Sequence, residues 1–505
     1  MSKKVCMASF PILCLFAAWI SVSVPFSHAD EIPGNETLER LRLDLDRIFT
    51  EDKFEGSNWG VQVFSLDRET CLYERNPNLL LIPASNMKIV TSAVALMRLG
   101  PDYRFRTLLL TDGDIVDGVL DGNLIVVGYG DPSISSEKPE EDPLRTFRNW
   151  ACKLKEKGIH KISGDILGDG SSFEHSMLGK GWEWDDLTEG YAAPINALQF
   201  NRNRMWIEIA PRNNRGSAPS VSLSPLPRYW IVENKLQVRN ENEKTNILIE
   251  RNDSDEILII RGSIPSGKSK TYKEVAVENP IRWYLTSLKH ALELEQIEVS
   301  ACGTREIERI NPNSMKQLEL HLSDPLSDIM KPLLKESLNL YSETLLRALG
   351  LELNGSGSFL GGKEIVEETL ERMAIDGDRY SYADGSGLSR LNLLSAEELV
   401  RVLRSMYRHP YFDYFYDALA IAGIDGTLEN RLRGTPAEAN LRAKTGSLSR
   451  VSAISGYLKT VDGEMLAISM IANNYLVPKS EADAAQDRAI VRLTKFKREA
   501  SADHP

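Results

Sequence analysis

The sequence predicts an α+β protein, an antiparallel sheet flanked by helices and interrupted in the chain by a large β-rich insertion. Three observations carry this. Strand and helix patterns occupy residues 30–100, and they return in residues 311–505. Between them, residues 101–310 hold short strands separated by Gly/Asp turns, with few long helices. The two outer stretches are expected to join as one domain, with 101–310 inserted as one or two subdomains.

Residues 1–29 read as a secretory signal. Lys3 and Lys4 give a positive start, an apolar run extends from Val5 to Pro25, and Ser27-His28-Ala29 places small residues where a signal peptidase cuts. A retained membrane anchor is the competing reading, because the charge-free run is just long enough to span a bilayer. Cys14 follows Pro11-Ile12-Leu13, without the small residues that lipid attachment wants.

A helical stretch from Glu36 to Ile48 comes next. Trp59 to Leu66 then alternates apolar and polar residues as a half-buried strand does, Asp67-Arg68-Glu69 turns the chain, and Cys71 to Tyr73 returns. Pro83 halts strand pairing and a helix opens near Ser85. Its apolar face is Ile89, Val90, Ala93, Val94, Leu96 and Met97, and Gly100 is its stop.

In the insertion the strands are Arg106–Thr111, Leu124–Val127, Ile162–Leu167, Met205–Ala210, Ile247–Glu250 and Ile257–Arg261, around a loop-heavy middle at Asn213–Pro227. Helical patterning resumes over Pro325–Leu349, Lys363–Ile375 and Ser395–Tyr407. The segment Arg442–Ser447 precedes two strands, Ser452–Leu458 and Met465–Ile471, joined through the hairpin signal Asp462-Gly463. A last helix, about Glu481 to Lys497, closes the chain.

The charge of −12 and pI near 5.3 argue against a nucleic-acid partner, which requires a basic face. The last helix carries Arg488, Arg492, Lys495, Lys497 and Arg498. A solvated outer face explains these better than contact with an anionic membrane surface. Once the signal is gone, Cys71, Cys152 and Cys302 remain, which leaves open one disulfide with one thiol, or three thiols. The seven histidines are scattered, neither H-E-x-x-H nor G-x-S-x-G occurs, and neither metal nor cofactor is expected.

Three motifs carry chemistry: Ser85-Asn86-Met87-Lys88, Ser337-Leu338-Asn339 and Lys444-Thr445-Gly446. Singly they are weak. A second Ser-x-x-Lys at Ser135 to Lys138 lies in an acidic loop with no apolar helix behind it, and is read as chance. At a helix N-terminus, residues three apart share one face, so Lys88 can reach the Ser85 hydroxyl. A serine needs a base to become a nucleophile, and a lysine serves if its surroundings lower its pKa. Lys444-Thr445-Gly446 stands before a hairpin. Its lysine suits a carboxylate, and its glycine lets a peptide approach the strand.

In this order the three motifs are the signature set of penicillin-recognising serine enzymes. The chain resembles the class C low-molecular-mass penicillin-binding proteins in further segments as well. These are Pro83 to Thr91, Gly128-Tyr129-Gly130-Asp131-Pro132, Tyr191-Ala192-Ala193-Pro194, Asp384-Gly385-Ser386-Gly387-Leu388-Ser389-Arg390 and Ala443 to Leu448, and they span nearly all of the mature chain. The long gap between the first two motifs fits that family's D-alanyl-D-alanine carboxypeptidase/endopeptidase branch better than the class A β-lactamases. The implied fold is the penicillin-binding/β-lactamase type.

The resemblance implies roles for particular residues. Ser85 would attack the carbonyl between two D-alanines, with Lys88 as base. Ser337 would relay a proton to the departing D-alanine. Asn339 would hold the substrate's carbonyl and steady Lys88, while Lys444, Thr445 and Gly446 would bind the terminal carboxylate and peptide backbone. The N–H groups of Ser85 and Ser447 would form an oxyanion hole, each donor worth roughly 3–4 kcal/mol. Leu338 and Ser447 depart from the commonest residues at their positions without touching these roles. The Asp384–Arg390 loop is explained nearly as well as a structural turn, and stands outside the expected catalytic set. The implied partners are peptidoglycan peptides, with β-lactams as covalent inhibitors. A β-lactamase and a penicillin sensor that is acylated once are the alternative functions.

Overall fold

The computed structural model describes residues 35–498, apart from 137, 213–215, 253–256 and 301–302. The signal segment 1–29, Cys302 and the start of the 213–227 loop lie outside the described residues.

A six-stranded antiparallel sheet organises the two ends of the chain. Its strands run in the order Ala420–Ile421, Arg442–Leu448, Val451–Lys459, Met465–Asn473, Asn58–Ser65, Thr70–Arg75, so an early strand adds to a late hairpin along the Asn58–Ser65 and Met465–Asn473 pairing. Helices cover both faces. Trp59, Val61, Val63, Ile468 and Met470 pack with Leu41, Leu45, Ala485 and Ile490 of the first and last helices, Asn35–Phe49 and Lys479–Thr494. On the other face, Phe64, Ala453, Tyr457 and Ile471 pack with helices Met87–Leu99, Asn339–Asn354 and Ala396–Tyr407.

Two-sided cover corrects the expectation of a half-buried strand. The polar positions Gln62 and Ser65 are buried as well. The Ser65 hydroxyl is satisfied by Glu464, which removes the penalty of burying it.

The stretch expected as helix over Pro325–Leu349 is two helices, Leu326–Lys335 and Asn339–Asn354. Ser337 sits between them at φ +64°, and the Leu338 N–H returns 3.1 Å to Leu333 O. That is the closure of a helix C-terminus whose left-handed residue is normally glycine, so a serine there leaves no composition signal. The apolar period runs through the break.

Residues 101–310 contain four further sheets, one of which extends to Lys316–Leu322, hydrogen-bonded to Arg106–Thr111. Ile162–Leu167 is split into Lys161–Ile162 and Ile166–Asp169, in different sheets. The split falls at Gly164, where a Cβ would lie 2.4 Å from Gly122 O. Two long helices were not expected here, Arg145–Glu156 and Pro280–Leu294. They bury Phe147, Trp150, Trp283 and Tyr284 in this region's own core. The second opens with Asn279, whose side chain accepts from Arg282 N, followed by Pro280, a start signal legible in the sequence.

Cys71 and Cys152 are free thiols. In the final helix and just beyond it, Arg488 pairs with Glu51, Arg492 with Asp44 and Arg498 with Glu464, so these three basic groups are engaged within the chain. Among the described residues no helix is long and apolar enough to cross a membrane.

Candidate active site

The site forms where the helix Met87–Leu99 meets the strand Arg442–Leu448 and the helix Asn339–Asn354. Pro83 ends the approach, Ala84 takes φ +47°, and a 3-10 turn over Ala84–Asn86 feeds the helix. A left-handed alanine is strained by about 1–3 kcal/mol, so neighbours must hold it there. Ser85 is left half-exposed, one turn ahead of Lys88.

Lys88 is fully buried, and its amine meets three acceptors: Ser85 Oγ at 3.0 Å, Asn339 Oδ1 at 2.6 Å and Ser386 O at 2.6 Å. Burial pushes its pKa down to about 7, against the opposing fields of Asp384 and Glu343. Asn339 opens its helix, and its Nδ2 donates to Tyr191 O at 2.8 Å, which fixes which end of the amide faces Lys88. Ser337, Leu338 and Asn339 line a cavity of about 310 Å³ with Tyr191, Arg202, Arg204, Glu274 and Glu336.

The strand Arg442–Leu448 lies directly against the serine turn. A Cβ on Gly446 would fall 2.7 Å from Pro83 O and 3.1 Å from Ser85 N, so only glycine permits this approach. Thr445 is half-buried and its hydroxyl donates to Thr427 Oγ1 at 2.7 Å. Ser447 is exposed. Lys444 is fully buried and donates to Thr445 O at 2.7 Å. Burial first, and then the charge of Lys88, hold its pKa well below the usual lysine range. Lys444 pairs with Ser455 of the neighbouring strand, while the short edge strand on the other side reaches only Arg442 and Ala443.

The Asp384–Arg390 loop, left out of the expected set, forms the floor beneath Lys88. Ser386 O accepts from Lys88, while Ser386 N donates to Glu343 Oε1 at 2.8 Å. Asp384 gathers the loop, accepting from Gly387 N at 2.7 Å, Ser389 N at 2.6 Å and Asn392 Nδ2 at 2.8 Å. Gly387 at φ +82° presses so close that a Cβ would meet Ala84 O at 1.9 Å. Glu343 was not singled out from the sequence either. It is buried, and burial and then the Asp384 charge raise its pKa. A charged residue in a helix interior carries no sign of its burial, whereas the two glycines of Asp384–Arg390 were a usable signal of close backbone approach.

A nucleophile-ready hydroxyl, a buried amine able to lose its proton near neutrality and a glycine-backed strand beside them define a serine acyl-transfer centre on an α+β scaffold. Comparison with known proteins agrees. The D-Ala-D-Ala carboxypeptidase 3 (S13) family model matches residues 41–496, and the chain belongs to that family. It is 30% identical to a D-alanyl-D-alanine carboxypeptidase of Actinomadura sp. (strain R39), across 91% of this chain and 85% of that protein. It is 29% identical to the D-alanyl-D-alanine carboxypeptidase DacB of Haemophilus influenzae, across 88% and 90%. Among solved structures, penicillin binding protein 4 from Haemophilus influenzae superposes with a TM-score of 0.77 at 27% identity, covering 90% of this chain and all of that one. The same protein has been solved with a β-lactam bound.

Proposed function

We propose that this chain is a serine D-Ala-D-Ala carboxypeptidase of peptidoglycan stem peptides, acting through an acyl-enzyme on Ser85. The observation that carries the proposal is the Lys88 amine, 3.0 Å from Ser85 Oγ and lowered to about 7. The free amine takes the Ser85 proton as Oγ attacks the carbonyl between the two D-alanines. A tetrahedral oxyanion forms, stabilised by the N–H groups of Ser85 and Ser447. Its collapse breaks the amide bond, and the departing D-alanine nitrogen takes a proton through Ser337. Water then attacks the ester, giving up its proton to the same machinery, and Ser85 is regenerated. Lys444 and Thr445 bind the terminal carboxylate, Gly446 admits the peptide to the strand, and Asn339 holds the substrate's carbonyl.

The same chemistry opens a D-alanyl cross-link when the leaving amine belongs to a neighbouring peptide, so endopeptidase activity needs only a wider leaving-group side. β-Lactams, cyclic amides that mimic the D-Ala-D-Ala bond, acylate the same serine. The positive start and apolar run of residues 1–29 support export, with action in the periplasm or another extracytoplasmic space.

Purified protein is given an acylated D-Ala-D-Ala peptide and a fluorescent penicillin. Release of D-alanine with covalent labelling, both lost in Ser85→Ala, is the expected result. Labelling without release would favour the sensor reading, and rapid turnover of penicillin the lactamase. Digestion of purified cell wall then shows whether cross-links disappear along with terminal alanines.

A further inference from the structure

Behind the floor of the site, residues 174–182 make two separate connections to the buried carboxylates that flank Ser386. Trp182 Nε1 donates to Asp384 Oδ2 at 2.9 Å. Arg347, itself fully buried, bonds to Glu343 Oε2 at 3.4 Å on one side, and to Glu174 Oε1 at 3.4 Å and Ser176 O at 3.3 Å on the other. The segment is pinned in turn. Glu174 N donates to Gly357 O at 3.0 Å and Glu174 Oε1 accepts from Phe359 N at 2.7 Å. Gly181, at φ +78°, packs where a Cβ would lie 2.7 Å from Leu391 Cδ1.

We propose that the segment Glu174–Trp182 braces Lys88 from behind, with Trp182 as a positioning residue that holds Asp384, and through it the Ser386 carbonyl, in place. This rests on the reading of Lys88 as the base for Ser85. The brace gives the inserted region a part in catalysis. Among the described residues the hydrogen bonds of Lys88 go to Ser85, Asn339 and Ser386, all outside residues 101–310, yet Ser386 is fixed between two carboxylates that this region holds. Three titratable groups besides the amine share the pocket, Asp384, Glu343 and Lys444, so a shift of either carboxylate changes the electrostatics at Lys88 as well as its geometry.

The test is Trp182→Phe in the full chain, which keeps an aromatic ring and removes the N–H. Acylation by a fluorescent penicillin is followed over a range of concentrations, with the melting temperature alongside. The maximal acylation rate is expected to fall by about tenfold or more while the half-saturating concentration and the melting temperature stay close to wild type. Trp184→Phe, at a ring 85% exposed, leaves all three unchanged. An unchanged maximal rate in Trp182→Phe, or equal losses in both variants, overturns the brace. Should Trp182→Phe not fold, Glu174→Gln keeps an acceptor for Phe359 N and weakens the hold on Arg347. It must lower the maximal rate in the same way, and an unchanged rate there is equally fatal. The NMR position of the Lys88 ε-carbon reports the geometry without any substrate, moving in Trp182→Phe and staying in Trp184→Phe. A wild-type chain that takes up no penicillin therefore tells against the acyl-enzyme reading while the brace is still decided by this signal.

Discussion

The Lys88 amine lies 2.6 Å from the Ser386 carbonyl, closer than the 3.0 Å that separates it from Ser85 Oγ. An ammonium has three protons, and here three acceptors surround it. Ser386 O and Asn339 Oδ1 are fixed acceptors, so the position that can lose its proton is the one facing Ser85.

From this follows the effect of Lys88→Ala. The serine loses its proton acceptor while the backbone around it is unchanged. Acylation by penicillin is expected to fall by about 10²–10⁴-fold, as for removal of a general base. Stopped-flow labelling checks it, and a loss smaller than that range would move the base elsewhere.

The pH profile follows from the lowered pKa. The reactive form of Lys88 is the free amine, so acylation is slow below about pH 7 and rises as the pH passes it. Asp384 raises the Lys88 pKa, hence Asp384→Asn lowers it further and moves the rising limb to lower pH. The limb is read from labelling rates in a pH series. A limb moved upward would contradict the sign.

Gly387→Ala places a methyl 1.9 Å from Ala84 O at a φ of +82°. Backbone strain alone costs about 1–3 kcal/mol. Urea denaturation is expected to show at least that loss, with slower labelling because the displaced group is the turn that presents Ser85. Gly463→Ala is the control, at a similar φ of +86° with open space around it, and loses stability without slowing labelling.

Ser337→Ala separates proton relay from binding. Release of D-alanine from peptide falls by about 10²-fold or more, since an amine must be protonated to leave, while half-saturation by peptide changes little. Steady-state kinetics measure both. A loss confined to half-saturation would make Ser337 a binding residue instead.

Much of the site could be read from the residues. Ser85 and Lys88 stand three apart where a 3-10 turn runs into a helix with an unambiguous apolar face, so local helical geometry brings them near each other. Gly446 reads as admitting a substrate peptide, and that the serine turn also packs against it is not legible. The errors share a cause. Strand alternation at Trp59–Leu66 does not say what covers the polar face, and here helices cover it. Apolar period cannot see the left-handed Ser337 that splits one helical stretch in two. Nor does the motif Lys444-Thr445-Gly446 say that its lysine is buried, because a single residue's burial depends on every element that flanks it.

By itself the sequence determined the local pieces: the serine-to-lysine turn, the hairpin that carries the late strands, and the order of the three motifs. Spacing and periodicity act within a few residues, and those pieces are held by such short-range forces. Only the tertiary structure decided that Ser386, Asp384, Glu343 and Trp182 stand behind Lys88, and that Lys444 is enclosed. Their partners lie on other elements, 298 residues away in the case of Lys88 and Ser386, and desolvation depends on the whole shell rather than on neighbours in the chain.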